Sequence, residues 1–173
     1  MMIEIRRLER SDDRSHFTCE VPALDRFFRH YAGQNQFRLK LAVTYVAVST
    51  DGIVGFATVA VGSVEKRSLP DPRLRGRMPA YPLPVLRLAR LGVEQSAKGR
   101  GVGRELLRYV FKLALDQRDT LGCVGVVTDS KPEAREFYEK LGFIPLHGVR
   151  EGRVHGDPTP MFLDIGTIAA AHK

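Results

Sequence analysis

The chain of 173 residues has no tryptophan, only two cysteines and no long apolar run. Cys19 and Cys123 belong to no C-x-x-C pair and no Cys/His cluster, which excludes a zinc ribbon or a thioredoxin-type redox motif. Two reduced, packed thiols are the expectation. The histidines at 16, 30, 147, 155 and 172 show no ligand spacing such as H-E-x-x-H, so no metal is expected. No stretch approaches the roughly 20 apolar residues that a membrane-spanning helix needs. Residues 1–10 alternate charged and apolar side chains without the apolar centre of a signal peptide, so a cytoplasmic protein is expected. Acidic side chains are in deficit: 20 Asp and Glu stand against 27 Lys and Arg, a net charge of +7. That bias suits a polyanionic partner, and it also suits a phosphorylated cofactor.

What is present is an ordinary globular composition, 43% hydrophobic and 27% charged, at a length that fits one domain over residues 1–173. A strand is expected at residues 3–8, and a helix at 22–36 with Pro22 in its first turn and Leu24, Phe27, Phe28 and Tyr31 at helical spacing. Residues 43–49 and 53–61 read as strands joined at Asp51-Gly52, a hairpin signal. Residues 63–82, rich in Pro and Arg, read as a loop holding at most a short helix. Residues 84–93 form a strand, and residues 101–118 a helix with Leu106, Leu107, Val110, Phe111, Ala114 and Leu115 on its apolar side. A short strand at 123–128, a helix at 132–140 closed by Gly142, a strand at 143–146, a turn-rich loop at 151–160 and a strand at 161–165 complete a mixed α/β order.

The segment Lys98-Gly-Arg-Gly-Val-Gly-Arg104 carries the chemistry. A strand ends before it and a long helix begins within it. The first amides of a helix have no acceptor inside the helix, and the positive end of its dipole lies behind them. Together they make an anion site that fits a pyrophosphate. Gly99, Gly101 and Gly103 let a phosphate approach the backbone, while Lys98, Arg100 and Arg104 add charge around Val102 and its neighbours. The segment has neither the GxxxxGK[ST] of a P-loop nor a GxGxxG dinucleotide fingerprint.

The pattern resembles the acetyl-CoA motif of GNAT N-acetyltransferases, [RQ]-x-x-G-x-[GA], with Lys98 where that family has Arg or Gln. Ala134-Arg-Glu-Phe-Tyr-Glu-Lys-Leu-Gly-Phe143 resembles the family's A-x-x-F-Y-x-K-x-G-F. The resemblance runs from the first strand to Ile165 and implies the GNAT fold, a mixed twisted sheet of about six to seven strands with helices on both faces. It implies acetyl-CoA as cofactor, held by Leu91 and Val93 at the strand end, by the whole run from Lys98 to Arg104, and by Lys131 and Tyr138 near the pantetheine arm. At Lys131 the family commonly has Asn. The backbone N–H near Val93 would polarise the thioester carbonyl. Tyr138 would protonate the leaving thiolate. Glu94, at the end of the central strand, is the candidate general base.

Three further stretches narrow the resemblance. Phe17-Thr-Cys-Glu20 and Leu24-Asp-Arg-Phe-Phe28 are similar to the F-x-C-x(4)-L-D-x-F-[LF] opening of one GNAT branch, and residues 84–93 are similar to its central strand. That branch includes toxins of type II toxin–antitoxin systems that acetylate the amino group of aminoacyl-tRNA. The resemblance thus implies an aminoacyl-tRNA acceptor, a small antitoxin covering the basic face, and a homodimer. A small-molecule or protein amine is the alternative acceptor. Arg73, Arg75, Arg77, Arg87 and Arg90 are the candidate phosphate-tracking side chains. In a regular strand residues 87 and 90 face opposite sides, so both line one groove only across a bulge. Without tryptophan, contact with tRNA would run mainly through phosphate and shape.

Overall fold

A computed structural model describes residues 1–147 and 157–172 of the chain. Seven strands make a mixed sheet in the order β1-β2-β3-β4-β5-β7-β6. They are β1 (Glu4–Arg7), β2 (Val43–Ser49), β3 (Gly52–Val64), β4 (Leu83–Val93), β5 (Gly125–Ser130), β6 (Ile144–Pro145) and β7 (Thr159–Asp164). The helices are α1 (Pro22–Arg26), α2 (Pro72–Arg77), α3 (Val102–Thr120), α4 (Arg135–Lys140) and α5 (Ile165–Ala171). Contacts divide the chain into two compact units, Met1–Ala60 with Leu88–Lys112, and Val61–Arg87 with Leu113–Lys173.

The first unit has its core in Leu8, Phe17, Cys19, Phe27, Phe28, Ala32, Val46 and Phe56. Phe28 stacks on Phe56 at 4.3 Å between ring centroids, and Phe17 meets both rings edge-on at 4.8 and 5.5 Å. Beyond α1 the chain continues through two π-helical turns, Phe27–Tyr31 and Gln34–Arg38. Buried Gln36 donates from Nε2 to Leu8 O at 3.0 Å and accepts from Thr44 N at 2.9 Å. Its amide satisfies two main-chain groups at the end of the β1–β2 ladder. β2 and β3 pair antiparallel with Ser49 opposite Gly52, so Thr50 and Asp51 form the turn and Gly52, at φ +100°, already belongs to the returning strand. A Cβ at Gly55 would lie 2.8 Å from Val102 Cγ1 and 3.2 Å from Gly92 O. Glycine there lets the first turn of α3 sit directly on β3 and β4.

The second unit packs Val64, Leu69, Leu74, Leu83, Val85, Val127 and Phe162 together. β5 pairs antiparallel with β7 from Gly125–Asp164 to Ser130–Thr159, and β6 adds Ile144–Phe162 and Pro145–Met161. The region expected as a loop at 63–82 is more ordered than its composition suggests. β3 runs to Val64, residues 66–68 make a 3-10 turn, and Asp71 caps α2 by accepting from Arg73 N at 2.9 Å. α5 was not expected: Asp164 caps it through Thr167 N at 3.3 Å, and Ile168 is its buried anchor. The loop expected at 151–160 lies, as far as residue 156, outside the described residues.

Candidate active site

β4 ends at Val93, residues 95–97 form a 3-10 turn, and the chain then runs through the glycine segment into α3. Gly99 has φ +79° and Gly101 φ +82°, and a Cβ at either would meet nothing within 4 Å. These left-handed turns favour glycine, and both open outward. Among the described residues no acceptor takes the amides of residues 99–104; the next amide, of Glu105, donates to Gly101 O at 3.0 Å. Consecutive free N–H groups thus stand before a helix of 19 residues whose buried face carries Val102, Leu106, Leu107, Val110 and Ala114. Arg100 and Arg104 are exposed beside them. Lys98, expected to add charge there, is exposed, and its Nζ donates to Cys19 O at 2.8 Å.

Glu94 is half-buried, and its Oε2 accepts from Thr18 N at 2.9 Å. Its own amide remains in the sheet, donating to Val54 O at 2.8 Å. Leu91 and Val93 lie half-buried on the same strand. Residues 17–20 are held on every side. Arg29 donates from Nε and Nη2 to Phe17 O, Gln95 N donates to Thr18 O at 2.8 Å, and buried Asp25 takes Cys19 N at 2.8 Å and the Thr18 hydroxyl at 3.2 Å. Glu20, at φ +67°, closes the segment. Burial and the hydrogen bond to Asp25 push the Cys19 thiol up to about 11, so it stays protonated at neutral pH. Thr18 and Asp25 fall within motif stretches read from the sequence, but neither they nor Gln95 were assigned a role in holding this segment there. The available signal was Asp25 itself, a carboxylate inside the apolar face of Leu24-Asp-Arg-Phe-Phe28.

In the second unit Tyr138 of α4 is 6% exposed, with its ring edge-on to Phe137 and to Phe143, each at 5.3 Å. Burial pushes the phenol up to about 12, against a hydrogen bond with Thr128 of β5 that pulls it down. Lys131 is half-buried after β5, its carbonyl accepting Ala134 N at 2.9 Å. Arg75 donates to Leu69 O at 2.7 Å and lines a basin of 680 Å³ together with Lys66, Arg67 and Tyr81. Arg73 and Arg77, one helical turn apart, lie exposed and outside that lining. Arg87 faces Asp129 at 3.7 Å. Arg90, in the first unit, sits over the Phe27 ring at 4.2 Å, a cation–π contact. Residues 89 and 90 are both exposed, a break in the alternation of β4. Among the described residues no three His, Cys, Asp or Glu side chains gather as a metal site requires, and no helix is long and apolar enough to cross a membrane.

The acetyltransferase (GNAT) domain family matches residues 40–145. A tRNA-acetylating toxin of Mycobacterium tuberculosis is 33% identical over 148 residues, which cover 82% of this chain and 87% of that one. The structure of AtaT complexed with acetyl-methionyl-tRNAfMet superposes with a TM-score of 0.88 at 22% identity, over 99% of this chain and 100% of that one. That of a mutant AtaT toxin bound to the C-terminus of the antitoxin AtaR and acetyl-CoA gives 0.75 at 20% identity, over 99% and 98%. The solved structures establish the fold; the family match across the glycine segment and Tyr138, together with the toxin relative, establishes the lineage. The chain belongs to the GNAT acetyltransferases.

Proposed function

We propose that this enzyme transfers the acetyl group of acetyl-CoA to the α-amine of an aminoacyl-tRNA and so acts as a toxin that blocks translation. The observation that carries the reading is the run of free amides at residues 99–104, opened by two left-handed glycines at the head of α3. It supports pyrophosphate binding by main-chain N–H groups, with Arg100 and Arg104 adding charge. Leu91 and Val93 in the first unit, and Lys131 and Tyr138 in the second, are the candidates for contacting the pantetheine arm.

The Val93 N–H polarises the thioester carbonyl as the amine attacks. A bond forms between amine nitrogen and carbonyl carbon, the C–S bond breaks, and the amine's proton passes to water, from which the Tyr138 phenoxide is later reprotonated. Tyr138 supplies a proton to the departing thiolate. At about 12 its phenol is fully protonated at neutral pH, which suits an acid and not a base. Desolvation that keeps the phenol neutral also raises the basicity of a thiolate expelled beside it, so the transfer is not opposed by the full difference from an ordinary thiol. The acceptor needs little help from a base, because an α-amine titrates at about 7.7–8.0, against about 10.4 for lysine.

The tRNA-acetylating relative and the surplus of basic side chains support the acceptor. Arg73, Arg75, Arg77, Arg87 and Arg90 are the phosphate-contacting candidates. The protein works in the cytoplasm, where charged tRNA is found, as a homodimer restrained by a small antitoxin on its basic face. Incubation with acetyl-CoA and aminoacyl-tRNA, followed by mass spectrometry of the tRNA, tests the reaction. Acetylated aminoacyl-tRNA is expected from the wild type, with Tyr138→Phe slower by about a hundredfold or more. Acetylation of free or protein amines alone overturns the tRNA assignment.

A further inference from the structure

Three residues around the start of the glycine segment reach the same short stretch of main chain. Glu94 takes the Thr18 amide, the Gln95 amide goes to the Thr18 carbonyl at 2.8 Å, and Lys98 Nζ goes to the Cys19 carbonyl at 2.8 Å. The stretch is in turn fixed from behind by Arg29 at Phe17 O and by the buried carboxylate of Asp25 at Cys19 N. Helix α1 and its π-helical continuation, the stretch 17–20 and the beginning of the glycine segment therefore form one hydrogen-bonded chain within the first unit.

From this geometry we infer that Glu94 is a positioning residue and not the general base: its carboxylate holds Thr18 so that Thr18 and Cys19 fix residues 95–98, and through them the free amides that receive the cofactor. The inference rests on the reading of residues 99–104 as the acetyl-CoA site. A base must take and release a proton in every turnover. One of the two carboxylate oxygens of Glu94, Oε2, is committed to a main-chain N–H that contributes nothing to the acetyl transfer. The same backbone partner also explains why a long acidic side chain is used at the end of β4. A carboxylate is a strong acceptor for an amide, and the side chain spans from the strand end to a segment 76 residues earlier. Lys98 has the matching role at the other end of the turn. Its ammonium donates to the Cys19 carbonyl, which ties the end of the turn to the same stretch.

Glutamine at 94 keeps an acceptor oxygen in the same place and cannot act as a base; alanine removes both. Glu94→Gln is expected to bind CoA within about twofold of the wild type by calorimetry, and to keep its kcat and the shape of its pH–rate profile. Glu94→Ala is expected to bind CoA about tenfold more weakly, with faster amide hydrogen exchange at Thr18, Cys19 and Gln95. If Glu94→Gln loses turnover as severely as Glu94→Ala while both bind CoA normally, Glu94 is the base and the inference falls. If Glu94→Ala matches the wild type in exchange and affinity, it positions nothing and the inference falls equally. A wild type that binds no CoA sinks the cofactor reading, while the exchange measurement still decides the link between Glu94 and residues 17–20.

Discussion

Tyr138 concentrates the tension between burial and chemistry in one side chain. Its hydroxyl is enclosed with Thr128, and its ring lies between Phe137 and Phe143. Ionising it in place is costly, so its folded value of about 12 lies above the ordinary 10. The linkage sign follows. Below pH 10 the phenol is neutral in folded and unfolded chains and pH has no effect through it. Between about 10 and 12 the unfolded chain loses the proton first, so stability falls as pH rises. At about 1.4 kcal/mol per unit, this amounts to roughly 2–3 kcal/mol. Cys19 also titrates upward in this range, so the comparison must be with Tyr138→Phe. Urea unfolding at pH 9 and pH 12 is expected to show a smaller loss for that variant; equal losses would mean that the phenol is not held neutral. The residue types at 138 and at 99–104 were readable from the sequence, because a glycine run and an aromatic pair before Lys-Leu-Gly-Phe are local patterns. The partners of Lys98 and Asp25 were not, because a charged side chain chooses its partner from neighbours that the local sequence does not specify.

Among the elements, α3 was the most legible. Its apolar positions repeat at helical spacing, and the structure moves its start only from 101 to Val102 and its end from 118 to Thr120. The helix expected at 22–36 was legible as helical but not in its winding. Two π-helical turns within it bring Gln36 to Leu8 O and Thr44 N, a requirement set by the neighbouring β1–β2 ladder and not by local propensity. Gln36→Leu, which leaves both main-chain groups unpaired in a buried place, is expected to lower stability by about 2 kcal/mol or more. A lower urea midpoint at unchanged slope would show it; an unchanged midpoint would mean that water or backbone replaces the amide. α5 escaped the sequence reading because Ile165-Gly-Thr-Ile-Ala-Ala-Ala carries few apolar anchors and a glycine in its first turn. α2 is only six residues long, below what periodicity detects, and depends on its Asp71 cap and buried Leu74.

At the scale of the whole molecule the +7 charge sets how the enzyme should meet a polyanion. The structure sorts the arginines by availability. Arg90 is stacked on Phe27, Arg87 faces Asp129, and Arg75 is bonded to Leu69 O, whereas Arg73 and Arg77 are exposed with no ion pair among the described residues. Affinity for tRNA is expected to fall linearly with log salt, and Arg73→Ala or Arg77→Ala to flatten that slope by about one each. Arg75→Ala is expected to act through the packing of α2 more than through the slope. Filter binding across a salt series measures this, and slopes unchanged in all three variants would remove α2 from the RNA surface. The sequence alone determined the amide cradle, the amphipathic α3 behind it and the net charge, since these follow from backbone sterics, short-range periodicity and composition. Only the tertiary structure decided what Glu94, Lys98 and Asp25 bond to. Thr18 meets Glu94 across 76 positions and Cys19 meets Lys98 across 79, and no local rule carries over such distances.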